Sequence, residues 1–198
     1  MTRIMRDSTN VLDIPAQGTD IVALYANGKY AADRKVAAQL FGTKPIGFID
    51  VIGDDWQGAG ILDVETGDAT ADQAPLWVMR RWATVHRPVS LDYPPIIYCD
   101  RSKLTPVFNF MADDGLQVGR DFKLWIATLD GTKAVKDMTG VMAVQYAGEH
   151  ITGHHYDESI VYDDTWHCAP KTGILVQLPS GITDHVASTD NGRTFHRS

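Results

Sequence analysis

The sequence predicts an α/β fold: a closed barrel of the TIM type from which several helices are missing, followed by a short β-rich tail. Three observations lead there. Eight short apolar runs bounded by Gly, Pro, Asn and Asp read as strands. About three helical patterns fall between them, the alternation expected of parallel βα units. All of this lies within roughly 165 residues, whereas a full eightfold barrel takes about 250, so connecting helices must be absent. An open doubly wound sheet is the second option, but it does not naturally carry eight strands with so few helices.

The elements follow in order. Residues 4–10 form a short first strand with Asp7 near its end. Pro15 and Gly18 mark a loop, and residues 21–25, ending in Tyr25, are a second strand closed by Asn27 and Gly28. Residues 32–41 read as a helix with Val36, Ala37, Leu40 and Phe41 on one side and Gly42 behind it. Strand three covers 46–52, and the turn-rich residues 53–60 leave no room for a helix. Strand four leads through Ile61 and Leu62 to Asp63 and Glu65. Residues 70–86 carry the strongest helical pattern, with Leu76, Met79 and Ala83 on one face and Trp82 beside them. Its start has two signals: Thr70 and Gln73 could form a capping box, whereas Pro75 prefers the first turn.

Pro88, Pro94 and Pro95 end that segment, and residues 96–99 are the fifth strand. Residues 101–111 are a helix that Pro106 starts late or kinks. Residues 122–127, 141–146 and 155–162 complete the strands, with Asp157 near the start of the last. The short connections after Asn10, Ile52 and Tyr146 are where helices are missing. The barrel is assigned to residues 1–167 and the β-rich extension to 168–198. In the extension, residues 174–181 suggest a hairpin. Ser188, Asp190, Gly192, Thr194 and Phe195 match a structural Asp-box, in which Asp190 binds backbone amides and Gly192 takes a positive φ.

Composition narrows the function. A net charge of -7 and a pI near 5.4, with no basic run, argue against nucleic acid as a partner. No apolar stretch approaches the roughly 18 residues of a membrane span, and the N-terminus lacks the apolar segment of a secretory signal. Cys99 sits in an apolar run and Cys168 lies far from it, so no disulfide framework is expected. Neither a metal nor another cofactor is expected: His150, His154, His155 and His167 gather near the eighth strand at no standard zinc spacing. No Gly-x-Ser-x-Gly elbow occurs, and Cys99 has no identifiable base.

Asp63 and Glu65 are the chemical centre. Alternate strand residues share a face, so both carboxylates point the same way. At ~6 Å and an effective dielectric of ~20 they repel by about 3 kcal/mol, or roughly two pKa units. One of them then stays protonated near neutral pH, as glycosidic cleavage requires. The plainer reading makes them solvated strand-end residues that cap the next helix.

Asp7, the Ile61-Leu-Asp-Val-Glu65 run, Pro95-Ile-Ile-Tyr98, Leu124-Trp-Ile-Ala127, Ala143-Val-Gln-Tyr146 and Tyr156-Asp157 together resemble the family 25 glycoside hydrolases, lysozymes with a reduced barrel. Asp7-Ser-Thr-Asn10, Asp63-Val-Glu-Thr-Gly-Asp-Ala-Thr70 and Gly153-His-His-Tyr-Asp157 resemble, more particularly, the glycoside-hydrolase-like domains of actinobacteria and their phages. The resemblance implies Glu65 as general acid and Asp63 as the carboxylate that helps a 2-acetamido group or water attack the anomeric carbon. It implies Asp7 and Asp157 as further mouth carboxylates, and Tyr25, Tyr98, Trp125, Gln145 and Tyr146 along a sugar groove; for Trp125 a core position is an equal alternative. The implied substrate is the glycan strand of bacterial peptidoglycan. The implied setting is host cytoplasm and then cell wall, or a phage virion with its proteins as partners. Two departures stand against this: no Gln follows Asp7 within Ser8-Thr9-Asn10, and strand three reads Gly47-Phe-Ile-Asp-Val in place of a Tyr-His pair. The alternative is therefore an inactive barrel serving as a wall-binding or structural module of a phage particle.

Overall fold

A computed structural model describes residues 2–42, 44–85, 94–133 and 139–162, with the backbone alone for 84 and 85. The hairpin, the Asp-box, His167 and Cys168 lie outside the described residues. Eight strands close a barrel in chain order: β1 (Arg3–Asp7), β2 (Ile21–Tyr25), β3 (Ile46–Asp50), β4 (Ile61–Val64), β5 (Ile96–Asp100), β6 (Lys123–Ala127), β7 (Val141–Ala147) and β8 (Asp157–Val161). The strands read as continuous apolar runs because both faces are covered. Inside, Met5, Ile21, Ala23, Ile49, Ile61, Ile96 and Trp125 fill the barrel. Outside, Leu62, Val64, Ile97, Cys99, Leu124 and Ile126 pack with Trp77, Val78, Val107 and Met111 of the helices.

The parallel pairing expected of βα units runs from β1 to β7, and β8 runs antiparallel to both β7 and β1. The cause is the length of the preceding connection. It contains a single helical turn, α4 (Glu149–Thr152), and the left-handed Gly153 at φ 69°, too little chain to return to the far end before starting another strand. The reversal places the first residue of β8 at the same mouth as the last residues of the other strands.

Helix α1 (Arg34–Phe41) starts later than predicted because Asp33 caps it, its carboxylate accepting the Lys35 and Val36 N–H groups. Ala37 and Phe41 form its buried face, and Leu40 turns outward at 43 % exposure. Before α2 (Ala74–Val85) both expected signals are used: the Thr70 N–H donates to Gln73 Oε1 at 2.7 Å, and Pro75 occupies the first turn. The helix is rotated from the predicted face. Ala74, Trp77, Val78 and Arg81 are buried, while Leu76, Met79 and Trp82 are half-buried. The indole N–H of Trp77 donates to Asp50 Oδ2 at 2.9 Å and Arg81 donates to the Trp56 carbonyl at 3.1 Å, so polar anchors set the rotation. In α3 (Leu104–Asp113), Pro106 lies in the first turn, where its missing N–H costs no intrahelical bond.

No helix joins β3 to β4. Asp50, fully buried at the end of β3, organises the loop instead: it accepts N–H groups from Ile52 (2.9 Å), Gly53 (2.8 Å), Asp55 (2.7 Å) and the Asn27 side chain (2.8 Å), besides Trp77.

Candidate active site

Four carboxylates converge at one mouth of the barrel. Asp7 ends β1 and Asp157 begins β8, and the two are direct partners in the antiparallel register. Asp63 follows Ile61 on the inward face of β4, and Glu65 continues that alternation just beyond the strand. Asp7 and Asp63 are only 5 % and 3 % exposed, and Oδ1 of each is buried without a hydrogen-bond partner among the described residues. A protonated carboxyl tolerates such a place better than a carboxylate does.

Burial is the largest cause acting on each member of the group. It pushes Asp63 up to about 9, with Glu65, Asp68 and Asp7 adding repulsion. Asp7 is raised well above the ordinary range by burial, then by Asp157 and Glu65. Glu65 is raised by burial, then by Asp100 and Asp68, and the Tyr98 hydroxyl works against them. Asp157 is raised by burial, opposed by the Glu149 N–H and the Gln145 amide. Repulsion by Glu65, the cause expected from the sequence, thus comes second to desolvation at Asp63, whereas at Glu65 the groups that follow desolvation are Asp100 and Asp68.

The aromatic and amide residues separate into three positions. Tyr25 and Tyr98 are at the mouth: burial raises both phenols, and Asp7, Asp63 and Glu65 raise them further. Tyr98 donates its hydroxyl to Gln145 Oε1, and Gln145 Nε2 donates to Asp157 Oδ2. Trp125 lies deeper, 1 % exposed, with its indole N–H on Ser159 Oγ at 3.0 Å and its ring centroid 4.6 Å from that of Tyr98. Of its two readings, the core one fits this burial, because no ring face is open to a sugar.

No family model and no curated protein matches the sequence. Solved structures do match the fold. The spore cortex lytic enzyme SleM of Clostridium perfringens aligns over 81 % of this chain and 67 % of its own, at 16 % identity and a TM-score of 0.52. A family 25 glycosyl hydrolase from Bacillus anthracis aligns over 82 % and 89 %, at 12 % identity and 0.50. A muramidase from Acremonium alcalophilum aligns over 83 % and 94 %, at 13 % identity and 0.50. The fold is that of a family 25 glycosyl hydrolase.

Within this barrel, one expected groove residue is not brought to the mouth. Tyr146 follows Gln145 on β7, and neighbours on a strand face opposite ways. Its ring packs outside the barrel with Val144 and Ala147, its hydroxyl meets Glu158, and Lys133 lies 4.6 Å from the ring centroid. The histidines near β8 line the rim: His154 stacks on Tyr156 with centroids 5.2 Å apart, and His155 Nδ1 is 3.7 Å from Glu149.

Two residues that act on the site were not singled out from the sequence. Asp100 ends β5, one residue beyond the predicted strand, and caps the following turn by accepting the Ser102 N–H at 2.6 Å. Hydrogen bonding from Ser102 holds it below the ordinary carboxylate range, so it faces Glu65 as a charge. The strand-end position that drew attention to Asp7 and Asp63 is the signal that could have found it. Asp68 follows Gly67 in the turn after Glu65. Asp63, Glu65 and Asp68 each bring an oxygen within 4.8 Å of the others, a spacing also common among acidic side chains that hold no cation, and no metal is assigned to it.

Proposed function

We propose that the protein hydrolyses the glycan strands of bacterial peptidoglycan as a muramidase-like enzyme, with Glu65 as general acid and Asp63 as its partner carboxylate. The observation that carries this reading is the pair itself: two inward carboxyls that bring oxygens within 4.8 Å of each other at a barrel mouth, both raised above their ordinary values by burial first. Mouths of this kind are where barrel chemistry sits. Glu65, the more exposed of the two, meets the glycosidic oxygen, and Asp63 lies behind it. Asp7 and Asp157 hold water and tune the pair, while Tyr25 and Tyr98 offer ring surface to the sugar. The fold neighbours described as a spore cortex lytic enzyme and a muramidase support the choice of substrate.

The sequence resemblance to actinobacterial and phage domains supports a phage lysin or virion-associated enzyme, acting on the wall after release or from the particle. A non-catalytic wall-binding or structural module is the second reading. It is favoured by β3, whose inward Ile49 gives the mouth no polar group while Asp50 is spent on the loop.

Reducing-end release from purified actinobacterial peptidoglycan, wild type against Glu65→Gln at matched folded concentration, tests the proposal. Loss of release by at least about 10²-fold in the variant is the expected result for a general acid. No release from a folded, wall-binding wild type would replace the enzyme with the binding module.

A further inference from the structure

Exposed apolar side chains gather at the mouth. Leu12, Tyr30, Ile52, Leu129 and Ile151, five of the eight exposed large hydrophobics among the described residues, each lie five residues or fewer beyond a strand end there. Leu129 differs from the rest in its backbone. It sits at φ 51°, the one residue other than glycine with a left-handed φ among the described residues, and Gly131 takes the second such position of the same loop at φ 75°. A side chain resists this conformation, whereas glycine adopts it at no steric cost. The loop is tied on both sides of Leu129. The Thr128 and Leu129 N–H groups donate to the Gln145 carbonyl at 2.9 and 3.2 Å, and the Gly131 N–H donates to the Tyr146 carbonyl at 2.8 Å. Asp130 accepts the Thr132 N–H at 2.8 Å and faces Arg101 at 3.7 Å. These ties hold the φ whatever side chain stands there, and at 40 % exposure the leucine is too open for packing to offset its strain. A second glycine would serve the fold better.

We propose that Leu129 is a specificity-determining residue: its side chain receives the lactyl-alanyl arm of a muramyl sugar, the substituent that peptidoglycan carries and a plain N-acetylglucosamine strand lacks. This deepens the proposed function and rests on peptidoglycan as the substrate. Strain kept at the edge of a site points to a role for the strained side chain, and the chemistry of that side chain selects its partner. Tyr25 and Tyr98 already offer ring surface to the sugar; an aliphatic chain suits methyl groups instead. A glycan strand carries methyl groups in its 2-acetamido groups and in the lactyl-alanyl arm. The sugar being cleaved sits at Asp63 and Glu65 on β4, and β6, from which the Leu129 loop leaves, lies two strands further round, roughly 10 Å at the usual strand spacing. The arm leaves the sugar ring through O3 and projects off the strand, so it spans that distance to the rim and brings two methyl groups to bury.

The test is isothermal titration calorimetry of the whole protein carrying Glu65→Gln, so that binding is read without cleavage. The probes are a muramyl tetrasaccharide with alanine on its lactyl groups and the tetramer of N-acetylglucosamine. With Leu129 in place the muramyl ligand should bind about 10-fold more tightly, the factor expected from burying about two methyl groups at a half-open rim. Leu129→Gly and Leu129→Asn, both at ease at this φ, should each lower the muramyl affinity about 10-fold and bring the two ligands level. Leu129→Met keeps an apolar chain of similar volume and should keep the preference. Urea unfolding of the same variants separates contact from packing: Leu129→Gly should bind less tightly while being no less stable. Three results overturn the proposal: a muramyl affinity that ignores the glycine and asparagine changes, an equal loss on both ligands, which assigns the contact to the acetamido methyls, or an affinity that falls together with stability. The hydrolase reading fails separately, if wild type binds both ligands and cleaves neither, and the ratio of affinities then still decides the role of Leu129. Binding of neither ligand would remove the peptidoglycan substrate and this proposal with it.

Discussion

Asp63→Asn should stabilise the protein, and the gain should grow with pH. Asp63 is 3 % exposed, and its carboxyl is pushed from an ordinary 3.8 up to about 9. Between those values the folded state keeps a proton that the unfolded chain has already released, so rising pH favours unfolding. The penalty is absent below about pH 4, grows by at most about 1.4 kcal/mol per pH unit, and levels off near the folded value. At pH 7 roughly three units have been crossed, which sets a ceiling of about 4 kcal/mol; water entering the mouth lowers it, and about 2 kcal/mol is the expected gain. Asparagine has nearly the shape of the protonated acid and no ionised form, so it removes the penalty while leaving the packing in place. Urea unfolding followed by tryptophan fluorescence, from about pH 5 to about pH 8, measures the difference between variant and wild type. A difference that does not change with pH, or a variant less stable than wild type at neutral pH, would refute burial as the force on this carboxyl.

Other outcomes follow from the same contacts. Asp50→Ala leaves five N–H donors without their acceptor and should cost about 3–5 kcal/mol in urea unfolding, with Asp50→Asn costing less because it retains one acceptor oxygen. Leu129 sits at φ 51°, where a side chain is strained by about 1–2 kcal/mol; Leu129→Gly relieves that strain against the entropy of glycine and should raise stability by about 0.5–1 kcal/mol. Cys99 is fully buried, with its thiol pushed up to about 12 by burial first and Asp100 next. In a Cys168→Ser background it should ignore a disulfide reagent until the protein is unfolded, and stoichiometric labelling of the native state would contradict its placement.

The strands were legible because a barrel strand covered on both faces must be apolar at nearly every position, as at residues 21–25 and 96–99. The direction of β8 was not, since a strand's polarity is set by what its connection can span and residues 148–156 do not announce a reversal. The helix over 74–85 was easy to see but its orientation was misjudged. A hydrophobic pattern weighs Leu76 and Met79, whereas the fold is held by the indole N–H of Trp77 on Asp50 and by a buried Arg81. At the mouth, strand-end position pointed to Asp7, Asp63 and Glu65, while Asp157, near the start of its strand, joined them only through the family resemblance, because the reversal of β8 was not legible. Ending strand five at Cys99 lost Asp100. Assigning both Gln145 and Tyr146 to one groove overlooked the parity of a strand, which allows only one of them inside.

The closure of β8 onto β1 also orders events in time. Asp7 and Asp157 face each other across that seam, the contact most distant in sequence among the strand pairings. During synthesis, a chain complete only through β7 has an unpaired edge at each end and one mouth carboxylate missing. Pairing over so long a loop is slow to form, so the seam is expected to seal late. Completion of the carboxylate cluster is therefore the same event as completion of the barrel: a chain lacking β8 carries Asp7, Asp63 and Glu65 without Asp157, and the last strand serves as both latch and final ingredient.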